Sequence, residues 1–163
     1  MLAILATSQN GMIGFRGGLP WGNPIKKDME MFRAVTLERE YCIVGRNTFD
    51  ALPKLKGRKL LVLTRYPDTL PKDKKNSLGG EFYDTVSPEE VKYLQNLPHV
   101  CIGGKFTYET CFPYSEGLFV TLVKREFDGD VRCPEFTHLF QPESQIYTDE
   151  LIDIIHYTKN EKV

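Results

Sequence analysis

The sequence predicts an α/β protein built on a central, mostly parallel, twisted sheet with helices on both faces and an antiparallel C-terminal edge. Three observations carry that expectation. Short apolar runs at residues 2–7, 41–44, 59–64 and 118–123 have the length and continuous hydrophobicity of strands covered on both sides. Segments with helical spacing lie between several of them. At Gly45 and again at Gly103-Gly104 a strand runs straight into glycine and then a helix, the kind of connection that parallel sheets require.

Residues 2–7 form the first strand. Residues 9–24 follow, with Gly11, Gly14, Gly17, Gly18, Gly22 and two prolines interrupted by Met12, Ile13, Phe15, Leu19 and Trp21. Such a segment is either a covering loop beside a site or a long surface connection whose apolar residues tuck into the core. Residues 25–38 place Ile25, Met29, Phe32, Val35 and Thr36 at helical spacing. Residues 41–44 are a strand, and Gly45-Arg46-Asn47-Thr48-Phe49 opens a short helix that Pro53 stops. Gly57 separates it from the strand at 59–64, and residues 65–80 are a polar, turn-rich connection. Phe82 and Tyr83 form a brief strand. Ser87-Pro88-Glu89-Glu90 is a helix start, with a serine cap, an early proline and acidic residues beside the positive end of the dipole. Residues 100–102 run into Gly103-Gly104 and a helix at 106–111. Residues 118–123 are a strand, and residues 151–157 are the clearest final element.

The 163 residues suit one domain, 1–163, able to bury a core without staples. A 41 % hydrophobic content is globular, and a net charge of -1 with 26 % charged residues offers no broad basic footprint for nucleic acid. A local basic patch at Lys54, Lys56, Arg58 and Lys59 remains. The N-terminal apolar run is too short for a signal sequence, and no run approaches a membrane span. Cys42, Cys101, Cys111 and Cys133 lack CxxC spacing, which favours reduced thiols in a cytoplasmic protein over disulfides or a metal site.

The residue with most to decide is Asp28. It either balances the first turn of its helix or, sharing a side with Met31 and Phe32, presents a carboxylate to a flat, nitrogen-rich ligand. Gly103-Gly104 either makes a tight turn for steric reasons or lets the backbone approach a pyrophosphate. Gly45-Arg46-Asn47-Thr48 repeats that arrangement and adds a cation and a hydroxyl. Arg58 is a surface arginine or a bidentate carboxylate clamp, and Arg65 and Lys105 are candidate phosphate contacts. No GxGxxG follows the first strand.

Taken in order, Ile13-Gly14, Leu19-Pro20-Trp21, Asp28 with Phe32, Gly45-Arg46-Asn47-Thr48-Phe49, Gly57-Arg58, Ile102-Gly103-Gly104 with Tyr108, and Thr121 resemble dihydrofolate reductase. The resemblance runs from Met1 to about Pro134 and implies an eight-stranded sheet flanked by four helices. It implies an NADPH-dependent enzyme that reduces 7,8-dihydrofolate to tetrahydrofolate in one-carbon metabolism, binds antifolate inhibitors and works as a cytoplasmic monomer. Asp28 would bind the pterin, supported by Thr121, with Ile4 and Ile102 offering carbonyls to its far end. Ala6, Phe32, Leu52 and Leu55 would line the substrate cleft, and Arg58 would hold the α-carboxylate of the glutamate tail. Residues 9–24 would be the lid, with Leu19 over the nicotinamide and Trp21 positioning a water. Ala6, Ile13, Gly14, Gly45, Ile102, Phe106, Thr107 and Tyr108 would border the cofactor. Gly103-Gly104 would carry a cis peptide by its pyrophosphate. Arg46, Asn47 and Thr48 would serve the phosphates, and Thr64, Arg65 and Lys105 the adenosine end.

The chain departs from the family pattern in four places. The segment between Trp21 and Asp28 is longer than in short bacterial forms, which reshapes the lid's hinge. Phe106 stands where bacterial relatives often have arginine. The run Asp130-Val131-Arg132-Cys133-Pro134 replaces a more familiar one, and a short tail after Phe136 implies an abbreviated last hairpin. The implied mechanism passes hydride to C6 of dihydrofolate while N5 gains a proton from water entering under Leu19, and Asp28 has a raised pKa. A reductase of related fold acting on a deaminated riboflavin precursor shares the sheet and the Gly-Gly turn but does not require Leu-Pro-Trp with Asp28 and Phe32. A non-catalytic cofactor-binding homologue is the other alternative.

Overall fold

The computed structural model describes residues 1–53, 55–70 and 83–161. Ten strands and three α-helices are present among them: β1 Leu2–Ser8, β2 Met12–Gly14, α1 Lys26–Leu37, β3 Tyr41–Gly45, α2 Arg46–Ala51, β4 Leu60–Leu63, β5 Tyr83–Val86, β6 His99–Gly103, α3 Lys105–Cys111, β7 Gly117–Val123, β8 Val131–Arg132, β9 Phe140–Thr148 and β10 Ile152–Lys159. Eight strands form one sheet in the order β5-β4-β3-β6-β1-β7-β10-β9. From β5 to β7 every pairing is parallel, and β10 and β9 close the other side antiparallel.

The two-residue period of a strand sorts the apolar runs onto two faces. Leu2, Ile4, Cys42, Val44, Leu60, Val62, Val100 and Ile102 pack with Phe49 and against Met31, Phe32 and Val35 of α1. Ala3, Leu5, Ile43, Leu61, Leu63, Cys101, Leu118 and Val120 pack on the opposite face with Tyr108, Cys111 and Phe112. Each continuous run is therefore covered twice, as its composition demands.

β1 pairs with β7 over its whole length, from Leu2↔Gly117 to Ser8↔Val123, but with β6 only at Leu2↔Val100 and Ala3↔Cys101. Beyond Ala3 and Cys101 the two central strands part. The ladder is open between residues 4–6 and Ile102-Gly103-Gly104, at the carboxyl ends of the parallel strands, the position at which open α/β sheets place a ligand crevice.

Three details differ from the sequence-based expectations. The capped segment at Ser87 winds as a 3₁₀ helix over Pro88–Leu94 although its capping box is complete, so the fourth helix is 3₁₀ rather than α. The loop 9–24 contains a strand: β2 pairs with β8, and the segment after Ser8 is latched to the segment after β7. Asn10 exchanges two hydrogen bonds with the Phe127 backbone, at 2.9 and 3.1 Å, and the Cys133 amide donates to Gly11 O at 2.7 Å. The last hairpin is not abbreviated, since β9 has nine residues and β10 eight. Irregular registers at Ile154/Ile155 and His156/Tyr157 let this exposed edge keep pairing along its length. Lys54, residues 71–80 of the polar connection and Phe82 lie outside the described residues.

Candidate active site

Asp28 is the third residue of α1, whose cap position, Ile25, offers no side-chain hydrogen bond. The carboxylate thus sits in the first turn, but it turns inward. Thr121 Oγ1, wholly buried on β7 beside Ala6 of β1, donates to Asp28 Oδ1 at 2.6 Å. Burial raises the Asp28 pKa above the ordinary carboxylate value, opposed by the Thr121 hydrogen bond, which favours the charged form. Thr121→Val is expected to leave the burial effect unopposed and move the acid limb of any Asp28-dependent activity to higher pH. A limb that stays in place would show that the hydroxyl does not tune the acid.

Trp21 packs edge-on against Phe127 at 6.2 Å, and its buried Nε1 has no partner within the protein. A buried indole N–H needs an acceptor, so this one is suited to an ordered water or a ligand. Phe32, four residues after Asp28, is half-buried beside Met31 and Val35 on the same helix face, and Leu52 packs into this cluster. Leu55 is buried in the same cluster. Arg58 is held from two sides: its Nε donates to Lys56 O at 3.2 Å and an Nη donates to Thr36 Oγ1 at 3.1 Å. The Thr36 hydroxyl in turn donates to Phe32 O at 2.7 Å, fixing the arginine against α1. Thr36 was not among the candidates; a buried threonine in the last turn of an amphipathic helix was its only sequence signal.

The other end of the crevice is bare backbone. The Gly103-Gly104 peptide is cis, and Gly103 has φ +112, a conformation only glycine adopts readily. A Cβ on Gly45 would lie 2.5 Å from Thr107 Oγ1 and one on Gly104 2.9 Å from Thr48 Oγ1. Glycine is thus required where β3 and β6 end side by side. The glycines let the ends of β3 and β6 and the first turns of α2 and α3 pack closely, and two strand-to-helix turns of bare backbone side by side are an arrangement that fits a dinucleotide's pyrophosphate. Tyr108 lies beneath the turn; its hydroxyl donates to Ile4 O at 2.7 Å and its ring stacks on Phe112. Tyr108 thereby engages one of the two lone pairs of the Ile4 carbonyl.

Around this cradle, Lys105 and Phe106 are exposed, Thr107 is buried, and Asn47 is exposed beside Thr48. Arg46 is engaged by Asp50 Oδ2 at 3.0 Å and Thr69 Oγ1 at 2.9 Å. Arg65, which follows Thr64 at the end of β4, pairs with Glu89 at 2.6 Å. Ile13 and Gly14 belong to β2 in the lid, and Leu19 is half-buried. Thr69 and Glu89 lie on other segments than Arg46 and Arg65, so their contacts leave no local pattern, whereas Asp50 stands four residues after Arg46 on α2, a spacing the sequence does display.

Cysteine chemistry does not contribute. All four cysteines are free, and burial pushes the Cys42 and Cys133 thiols up to about 11, which disfavours thiolate. No metal-ligating cluster occurs among the described residues. No described helix is long and apolar enough to cross a membrane. A hollow of 410 Å³ beside α3, lined by Glu109, Phe112, Arg132 and His138, shares only Lys105 with the candidate site residues.

The family model for dihydrofolate reductase matches residues 1–158. The chain belongs to the dihydrofolate reductase family. It is 32 % identical over 139 residues to dihydrofolate reductase of Bacillus subtilis, covering 82 % of this chain and 74 % of that one. It is 34 % identical over 134 residues to dihydrofolate reductase type 8 of Escherichia coli, covering 78 % and 76 %. The solved dihydrofolate reductase of Enterococcus faecalis, complexed with NADP(H) and RAB-propyl, superposes with a TM-score of 0.78 at 26 % identity, covering 98 % of this chain and 96 % of that one. The expected family and its sheet, with helices on both faces and an antiparallel edge, are thus both found, and the chain is an enzyme of the dihydrofolate reductase family.

Proposed function

We propose that this enzyme reduces 7,8-dihydrofolate to 5,6,7,8-tetrahydrofolate with NADPH. The observation that supports the reading is the Asp28 carboxylate, turned inward from the first turn of α1, partly desolvated and bonded to buried Thr121. Two coplanar carboxylate oxygens match the paired N–H donors of a pterin. Phe32 and Leu52 supply the apolar wall for its ring, Leu55 backs them from the core, and the carbonyls of Ile4 and Ile102 accept from its opposite end. The NADP(H) in the Enterococcus faecalis relative supports the choice of cofactor.

The dinucleotide supplies the hydride when bound. Gly45 and Gly103-Gly104 would admit its pyrophosphate, Arg46, Asn47 and Thr48 would hold its phosphates, and Ala6, Ile13 and Gly14 would border the nicotinamide end. The lid is latched through Asn10 and β2; with a dinucleotide bound, Leu19 would lie over the nicotinamide and the lid would exclude bulk water. Trp21 Nε1 orders a water, and N5 takes its proton from water admitted beneath Leu19 while Asp28 remains the anchor. The decisive assay follows loss of reduced-nicotinamide absorbance with dihydrofolate, with a deaminated riboflavin precursor as the parallel substrate. Turnover of the precursor alone would transfer the chain to the related reductase class, and turnover of neither would make it a non-catalytic homologue.

Arg58 is assigned to the carboxylate of the glutamate tail. Its guanidinium, braced by Thr36, keeps donors free for a bidentate grip. Arg58→Ala is expected to raise KM for dihydrofolate about ten-fold with little change in kcat, as loss of a charged hydrogen bond requires. A fall in kcat at unchanged substrate affinity would remove the clamp assignment. On the same reading the working unit is a cytoplasmic monomer that also binds antifolates; sedimentation as a dimer at assay concentration would contradict the monomer.

A further inference from the structure

The carboxyl edge of the sheet continues outward past the glycine turns. β4, beside β3, ends at Leu63 and leads into Thr64 and Arg65. β5, beyond it, ends at Val86 and leads into Ser87 and the 3₁₀ helix that carries Glu89. Neighbouring strands stand about 4.8 Å apart. A dinucleotide with its pyrophosphate over Gly45 and Gly103-Gly104 and its nicotinamide at β1 therefore sends its adenosine outward over β4 and β5. Arg65 and Glu89 meet at that place, Arg65 Nη1 donating to Glu89 Oε1 at 2.6 Å.

The two groups prefer opposite adenosine riboses. A guanidinium fork grips a 2′-phosphate, whereas a carboxylate accepts from a free 2′-hydroxyl and repels phosphate. Both side chains are more than half exposed, 54 % and 67 %, so the pair itself is weak and a ligand can open it. Opening it does not remove Glu89, because the Ser87 capping box fixes the turn from which it projects. Arg46, the other guanidinium on this edge, is already shared between Asp50 and Thr69.

We propose that Glu89 is a specificity-determining residue: it weakens the hold of Arg65 on a 2′-phosphate and offers an acceptor to an unphosphorylated ribose, bringing NADH closer to NADPH in affinity than Arg65 alone would allow. This rests on the dinucleotide-dependent reading above and names the adenosine end of the same site.

Calorimetric binding of 2′,5′-ADP and 5′-AMP, then of NADPH and NADH, to the parent, Glu89→Gln and Arg65→Ala proteins tests it. Glu89→Gln is expected to bind 2′,5′-ADP about five-fold more tightly, the effect of removing one exposed like charge, with 5′-AMP bound no more tightly. Arg65→Ala is expected to bring the two fragments within about two-fold of each other, because the phosphate fork is gone. A Glu89→Gln protein that shifts both fragments equally, or neither, overturns the proposal, as does a parent that binds neither. Fragments still separated by Glu89→Gln in a protein that fails to reduce dihydrofolate would support this assignment while removing the catalytic one.

Discussion

Asp28→Asn is expected to lower kcat/KM for dihydrofolate reduction at neutral pH by about 100-fold or more, the scale of losing a preorganised charge in a desolvated site. The amide keeps an oxygen to accept from Thr121, so the geometry survives. It loses the negative charge and replaces an acceptor with a donor that faces the pterin's own N–H groups. The same variant is expected to melt at a higher temperature than the parent at neutral pH. Burial raises the Asp28 pKa, so the native state binds that proton more tightly than the unfolded chain does. The parent accordingly loses stability as pH climbs from the ordinary carboxylate value through the raised one, and above that interval it carries a desolvated charge that asparagine does not. Thermal melts at neutral pH and below the ordinary carboxylate range check the sign: the gain should shrink in acid. Unchanged turnover would dismiss Asp28 as the anchor, and a variant less stable at neutral pH would show that the charge is well solvated.

Gly103→Ala is the second large effect. At φ +112 an alanine is strained, and its Cβ would lie 3.1–3.2 Å from the hydroxyl and two ring carbons of Tyr108. Tyr108 cannot retreat freely, being buried, stacked on Phe112 and bonded to Ile4 O. Strain and overpacking together should cost about 3 kcal/mol, a drop in Tm on the order of 10 °C for a chain of this size. NADPH affinity should fall about 100-fold if the turn must move by even a fraction of an ångström, since orientation is lost with it. Ile146→Ala, at a 51 % exposed position of β9, is the control, expected to change stability by only about 0.5 kcal/mol. A Gly103→Ala protein as stable and as tightly bound to NADPH as this control would mean that the turn is permissive.

What could be read in advance was whatever the chain declares locally. Asp28, Met31 and Phe32 share a helix face because three- and four-residue spacings dictate it, and the Gly45 and Gly103-Gly104 turns announce themselves by composition at strand ends. Strands buried on both faces were legible for the same reason. The lid's attachment was not. β2 and β8 are three and two residues long, too short for any period, and Asn10 meets Phe127 across 117 residues of chain. Pairing at that separation is decided by where β1 and β7 end, a tertiary fact. The 3₁₀ winding of Pro88–Leu94 was hidden because a serine cap, an early proline and acidic first-turn residues suit both helix types. Thr36 escaped notice because its value lies in bracing Arg58, which is 22 residues away.

The final hairpin bears on how such a sheet avoids growing. Its outermost strand, β9, carries Pro142, which lacks a donor, and meets β10 through two register irregularities that break the regularity of the ladder. Most of its side chains, Glu143 among them, are exposed and polar. A second polypeptide seeking to extend the ladder there would meet a proline, two register irregularities and an exposed carboxylate, features that oppose edge-to-edge pairing at the outer rim of the sheet.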